Sequence, residues 1–293
     1  MKPTELPELR RQVVNWLGTP HAKTIWDSAA HEGRLFGEKG INFSAKNPAA
    51  VGDGFRGLEL THWRMAELFH VSEAMTRLSV SAAETLPEFQ VEPVDLPSTF
   101  GVMYFELPID GSVVACAWGV VPQKAVDLFP ILGCNHGGVW LSFWCNGTPE
   151  FKLPLGYLAE FLIGFGSVPQ KDLQFESLGR LTRIVRTAWL LMQQEVAAVS
   201  RCEPTRKDLK RLQRKKLSPT AVRVVSLRRP HSQSSADEES SRNYSHRWIV
   251  RGHWRKQWYP SQNRHIPIFI QAHVKGPENA PFLTGELVNA WRR

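Results

Sequence analysis

Leu9, Val13, Trp16 and Leu17 recur at helical spacing in "LPELRRQVVNWLG" and stop at Gly18, which predicts a first helix. "TIWDSAAHEGRLFGEKG" gives a second, weaker one that runs out among glycines. "NPAAVGDGFRG" (47–57) reads as a loop from its Gly, Pro and Asn. From Thr61 to about Leu86, Met65, Leu68, Phe69, Met75 and Leu78 fall near a helical period, so one long helix is expected. The pattern then changes. "TFGVMYFELP", "SVVACAWGVVP", "GGVWLSFWCNG" and "EFLIGFGS" are short β-branched or aromatic runs bounded by Gly, Pro and Asn, a meander of antiparallel strands. Stretches as continuously apolar as "GVWLSFW" call for burial on both faces. A helix follows over 181–199, with Leu181, Ile184, Val185, Ala188, Leu191, Met192 and Val196 on one stripe.

The last third alternates again. "PTRKDLKRLQRKK" (204–216) reads as a helix with a thin edge of Leu209 and Leu212 on a basic cylinder, and "TAVRVVSLRR" as a strand. "PHSQSSADEESSRN" (230–243) has no residue to bury and is expected to be a mobile loop. "YSHRWIVRGHWR", "IPIFIQAHVKG" and "ELVNAW" complete four C-terminal strands. These strands either form their own small sheet or extend the first one. The fold class is α+β: N-terminal helices with an antiparallel sheet, then a basic helix and a small C-terminal antiparallel sheet.

Charge sharpens the division. Residues 201–293 hold 20 Lys and Arg against 7 Asp and Glu, whereas residues 1–200 hold 16 against 21. The step favours separate sheets, with a mildly acidic domain over 1–200 and a basic module over 201–293. A basic module of this kind points to a polyanionic partner, nucleic acid above all, or else an acidic protein partner. No apolar run reaches the roughly 18 residues of a membrane span, and "MKPTELPELRR" lacks the apolar core of a signal peptide. A cytoplasmic protein is expected, and four scattered cysteines suit a reducing compartment. Cys134 and His136 lie close together, but no second pair completes a zinc set, so neither metal nor cofactor is expected. "GDGFRG" lacks the GK[ST] of a phosphate-binding loop, and no GxSxG elbow is present. His62 and His70, eight apart on one helix, are too distant to share a metal.

Candidate chemistry concentrates in Tyr244–Gly276, which carries four histidines, three tryptophans and two tyrosines without one Asp or Glu. Strand alternation puts Tyr244, His246, Trp248 and Val250 on one side, a face where aromatics read as core. Arg251, His253 and Arg255 share a face if the phase survives Gly252, and His273 and Lys275 share one on the second strand. Were the two segments antiparallel neighbours, all five could meet. The link "KQWYPSQNRH", with Trp258, Tyr259 and His265, has the length of a functional excursion rather than a tight hairpin.

Such a set suits RNA cleavage through the 2′-hydroxyl without metal. His253 and His273 would serve as acid and base, Arg251, Arg255 and Lys275 would hold the phosphate, and Tyr259 would orient or stack a base. A two-metal nuclease is disfavoured because the segment has no carboxylates to cage cations. In the basic helix, Lys207, Lys210, Arg211 and Arg214 are further phosphate contacts, giving affinity without sequence readout.

The run "RWIVRGHWRKQWYPS…H…HVKGP" resembles a motif of a protein family from actinobacteria and their phages or plasmids, and "LPSTFGVMYFELPI", "VVACAWG", "VWLSFW" and "RTAWLLMQQ" look similar to the same family. The resemblance implies a shared fold over about residues 90–293 and an actinobacterial or mobile-element origin. It transfers no catalytic residue. The expected function is nucleic-acid binding, RNA before DNA, with a toxin-like, metal-independent endoribonuclease as its sharper form. The alternative is a non-enzymatic DNA-binding regulator or protein-interaction protein of a phage or plasmid.

Overall fold

A computed structural model describes residues 1–31, 48–123, 137–147, 155–166, 176–215, 219–228, 245–277 and 280–282. The chain divides into two compact units, Met1–Arg228 and Arg229–Arg293. Both carry sheet, and the first carries all the described α-helices, so the fold is α+β.

The first unit is a three-layer sandwich around a seven-stranded sheet. Its helices are α1 (Leu6–Leu17), α2 (Pro20–His31), α3 (Pro48–Met65), α4 (Glu73–Ala83), α5 (Glu176–Met192) and α6 (Arg206–Arg214). Its strands are β1 (Glu67–Val71), β2 (Phe100–Phe105), β3 (Val113–Val121), β4 (Gly138–Asn146), β5 (Leu155–Gly164), β6 (Ala197–Cys202) and β7 (Val222–Leu227). They lie in the order β5-β4-β3-β2-β1-β7-β6. The run from β2 to β5 is the antiparallel meander expected from the sequence, while β1 is parallel to both β2 and β7.

Pleat alternation assigns the two faces. Leu68, Val102, Ala117, Trp140 and Trp144 join Leu9, Val13, Trp16, Trp26, Phe55 and Trp63 of α1–α3 in one core. On the other face the Trp118 indole meets Phe69 at 5.5 Å and Trp189 of α5 at 5.4 Å, and α5 packs with α4. Coverage on both sides explains why β3 and β4 read as unbroken apolar runs.

Four sequence expectations are corrected here. The segment 47–57 is not a loop, since from Pro48 onward it forms the start of α3. Gly52 lies against the backbone of α2, where a Cβ would meet the Trp26 carbonyl oxygen at 2.7 Å. Glycine serves close helix crossing there rather than a turn. Residues 61–86 are not one helix: α3 ends at Met65, β1 follows, and Ser72 caps α4 by accepting from the Met75 N–H. Glu67–Val71 alternates poorly because four of its five residues are buried, so its pattern fits a helix as well as a central strand. Third, α5 stops at Met192 and β6 begins at Ala197, inside the span expected to be helical. Last, the charge step near residue 200 is not the unit boundary. β6, α6 and β7 belong to the first unit, because β7 completes the hydrogen bonding of β1. Pairing needs, not surface charge, set the division. The expected loop over 230–243 and the strand "ELVNAW" lie outside the described residues.

Candidate nucleic-acid interface

In the second unit β8 (Trp248–Val250) pairs with β11 (His273–Lys275), and β9 (His253–Tyr259) pairs with β10 (Arg264–Ile270), both antiparallel. The link expected to be an excursion is instead the tip of a hairpin. β9 continues through Lys256–Tyr259, a single 3₁₀ turn covers Pro260–Gln262, and Asn263 takes the left-handed conformation at φ 50°. Proline presets the first turn residue and asparagine tolerates positive φ, so the turn chemistry was present in "YPSQN".

Register decides which side chains share a face. Every rung joins an odd-numbered residue to an even-numbered one: His253 to Ile270, Arg255 to Ile268, Tyr259 to Arg264, and likewise Val250 to His273 and Trp248 to Lys275. A Cβ at Gly252 would meet the Phe269 ring at 2.8 Å, which places that side of Gly252 with Trp254 and Phe269. One face of the β9–β10 hairpin therefore bears His253, Arg255, Gln257 and Tyr259 together with Arg264, Ile266, Ile268 and Ile270. The other bears Trp254, Lys256, Trp258, His265, Pro267 and Phe269. His253 and Arg255 share a face, as expected, while Arg251 precedes the strand. His273 and Lys275 lie on β11, which pairs with β8 in a separate two-stranded sheet and not with β9.

Each histidine is held locally. His253 Nδ1 is 3.0 Å from the Arg251 carbonyl oxygen and His273 Nδ1 is 3.0 Å from that of Gln271. A carbonyl only accepts, so Nδ1 is the donor in both contacts. Tyr259, at the end of β9, is half-buried opposite Arg264, whose guanidinium donates to Gln262 Oε1 at 2.8 and 3.0 Å. Arg247 donates to the Ala280 carbonyl at 2.9 Å and lies 4.9 Å over the Phe282 ring, tying in the tail. Arg251, Arg255, Lys256 and Lys275 are exposed. Gly276 has φ 108°, and a side chain there would overlap the His246 carbonyl, so only glycine closes the β8–β11 end.

The basic helix forms as expected. Thr205 caps α6 in a capping box with Asp208, and Leu212 is buried. Its cations divide into two kinds. Arg211 donates to the Thr4 carbonyl at 2.8 Å and pairs with Asp208 at 3.2 Å, so it fastens the helix to the N-terminus. Lys207, Lys210 and Arg214 are exposed and remain suited to phosphate contact.

A buried polar cluster went unread in the sequence. Glu59 of α3, 2% exposed, accepts from Trp63 Nε1 at 2.7 Å and from Ser142 Oγ at 2.5 Å, and Ser142 accepts from Trp144 Nε1 at 3.1 Å. Ser142 lies opposite Glu160 across β4–β5. Burial pushes the Glu59 carboxyl up to about 7, against the hydrogen bonds of Ser142, Trp63, Trp144 and Trp140. Burial, then the neighbouring Glu59 charge, holds Glu160 well above the carboxylate range. His62 lies against Gly119 and Phe100 rather than on a helix shared with His70, and burial lowers it to about 4. The available signal was a lone glutamate in the apolar run "EFLIGFGS" and a lone serine in "VWLSFW".

Among the described residues no three His, Cys, Asp or Glu side chains converge as a metal site, and no helix is long and apolar enough to cross a membrane. Cys134 and His136 lie outside the described residues. No protein-family model, curated protein or solved structure matches the chain.

Proposed function

We propose that the protein binds nucleic acid, RNA in the first place, through the two-stranded ribbon of its second unit. One observation carries this reading. Residues 245–277 hold Arg247, Arg251, Arg255, Lys256, Arg264 and Lys275 and no acidic residue, and four of these six cations are exposed. Such a ribbon accumulates positive potential that a phosphate backbone relieves. Lys207, Lys210 and Arg214 of α6 are a separate set of exposed cations in the first unit, suited to phosphate contact on their own. A cytoplasmic location accords with this partner and with the free thiols of Cys116, Cys145 and Cys202.

The toxin-like endoribonuclease form asks more of the site: His253 and His273, which lie on separate two-stranded sheets, would both have to reach one phosphate. Duplex DNA is the second reading, because a two-stranded ribbon is an element that the B-form major groove admits.

The test is a salt titration of affinity for single-stranded RNA, duplex RNA and duplex DNA. Engagement of four cations predicts a slope of log K on log salt of about −3 on single strands. Lys256→Ala should lower the slope magnitude by about 0.7. A flat salt response on all three ligands would overturn the reading.

A further inference from the structure

We infer that the ribbon takes its nucleic acid as a single strand, with bases stacked on the face that carries Trp254, Lys256 and Trp258. This rests on the nucleic-acid reading and adds the strand state and the face. The two sides of the ribbon differ in chemistry. Three isoleucines, Ile266, Ile268 and Ile270, line one side opposite His253, Arg255 and Gln257, and the rings on that side, His253 and Tyr259, stand at its two ends without an aromatic cross-strand partner. The other side is a row of rings.

Trp254 meets Phe269 edge-on at 5.2 Å, and Trp258 meets His265 at 4.9 Å. These are cross-strand partners, so each indole is braced from the side by the rung that it belongs to. Trp258 remains 42% exposed despite that bracing. Between the two rungs lies Lys256 opposite Pro267, a buried ring too short to shield the ammonium. Four residues of strand separate the indoles by about 13 Å. An exposed indole beside an exposed ammonium suits a strand with splayed bases, Trp258 stacking one base and Lys256 neutralising the adjoining phosphate. A base within a duplex is stacked on both sides and has no free π face for a tryptophan. The acid-free composition of residues 245–277 makes the charge complementarity one-sided.

The experiment uses the full chain with a fluorescent 12-residue oligouridylate, the matching oligothymidylate, and both as duplexes with their complements. Wild type should favour the single strands over the duplexes. Trp258→Ala should weaken single-strand binding roughly tenfold, the loss of one stacked base, with an unchanged salt slope because no charge is removed. Trp258→Phe should recover most of that loss, which separates stacking from damage to the hairpin. Gln257→Ala, on the opposite face, should bind as wild type. Equal affinity of Trp258→Ala and wild type for single strands, or a preference of wild type for duplex, would overturn the inference. In both cases a steep salt slope would leave the nucleic-acid reading standing, whereas absence of any salt-sensitive binding sinks both. Oligouridylate against oligothymidylate decides whether ribose matters.

Discussion

The stability gap between Glu59→Gln and the wild-type protein should widen by about 3 kcal/mol between about pH 4 and about pH 9, in favour of the variant. The carboxyl is fully enclosed in the fold, where it titrates near 7 against 4.5 for an ordinary glutamate. A raised folded value means that the folded state holds the proton more tightly than the unfolded chain. Its contribution is fully present below about 4.5 and is lost as pH rises through about 7, at about 1.4 kcal/mol for each unit between. Glutamine keeps an acceptor for Trp63 and Ser142 and has no proton to lose. The slope should therefore vanish in the variant as far as this site carries it. Exposed carboxylates held low by partners, Asp53 beside Arg56 for one, act with the opposite sign, but they are common to both proteins and cancel in the difference. Urea unfolding across that pH range reads the gap directly. A gap that stays constant with pH would mean that Glu59 is solvated or ionised throughout.

Trp118→Ala should cost the first unit about 3–5 kcal/mol, the range for removing a buried aromatic. The side chain is 0% exposed and lies between Phe69 and Trp189, so it joins the sheet to α5. Its Nε1 donates to the Ser98 carbonyl at 2.9 Å, which also fixes the entry to β2. The neighbouring strand has adapted to it: a side chain at Gly101 would overlap the indole, and Gly101 is its direct partner in the register. Alanine leaves a cavity whose walls are strand backbone and two rings, none free to collapse, together with an unpaired carbonyl. Trp118→Phe keeps much of the volume but not the donor, and a loss of about half is expected. A midpoint shift worth under about 1 kcal/mol for the alanine variant would contradict this account of the core.

Legibility of the fold followed the strength of local period. The meander and α1 declared themselves because their apolar residues repeat over many positions and end at Gly or Pro. β1 did not. "ELFHV" is too short and too uniformly buried to distinguish period 2 from period 3.6, and its strand character comes from β2 and β7 on either side. Gly52 misled for a similar reason, since its use is contact with α2, which no local pattern encodes. At the candidate site, composition and alternation along each strand were readable, and His253 and Arg255 fell on one face as expected. The strand breaks were not: each expected strand divides at an unpaired step, so that His273 joins β8 in a second sheet instead of lying beside His253. The register of β9 with β10 is set by the turn at Pro260–Asn263, and a slip of one residue would exchange the two faces of the hairpin.

The central position of β1 has a consequence for how the chain is made. Its two parallel neighbours come from β2, close behind it in sequence, and from β7, beyond every helix and strand from α4 to α6. Closing that second pairing carries a large loop entropy, which places it late in folding. A nascent chain that has emerged only to residue 200 holds β1 with one edge unsatisfied in the middle of an apolar sheet, an invitation to pair with another chain. Ribosomal pausing before β7 should therefore favour aggregation, and β6–β7 is the segment whose arrival ends that exposure.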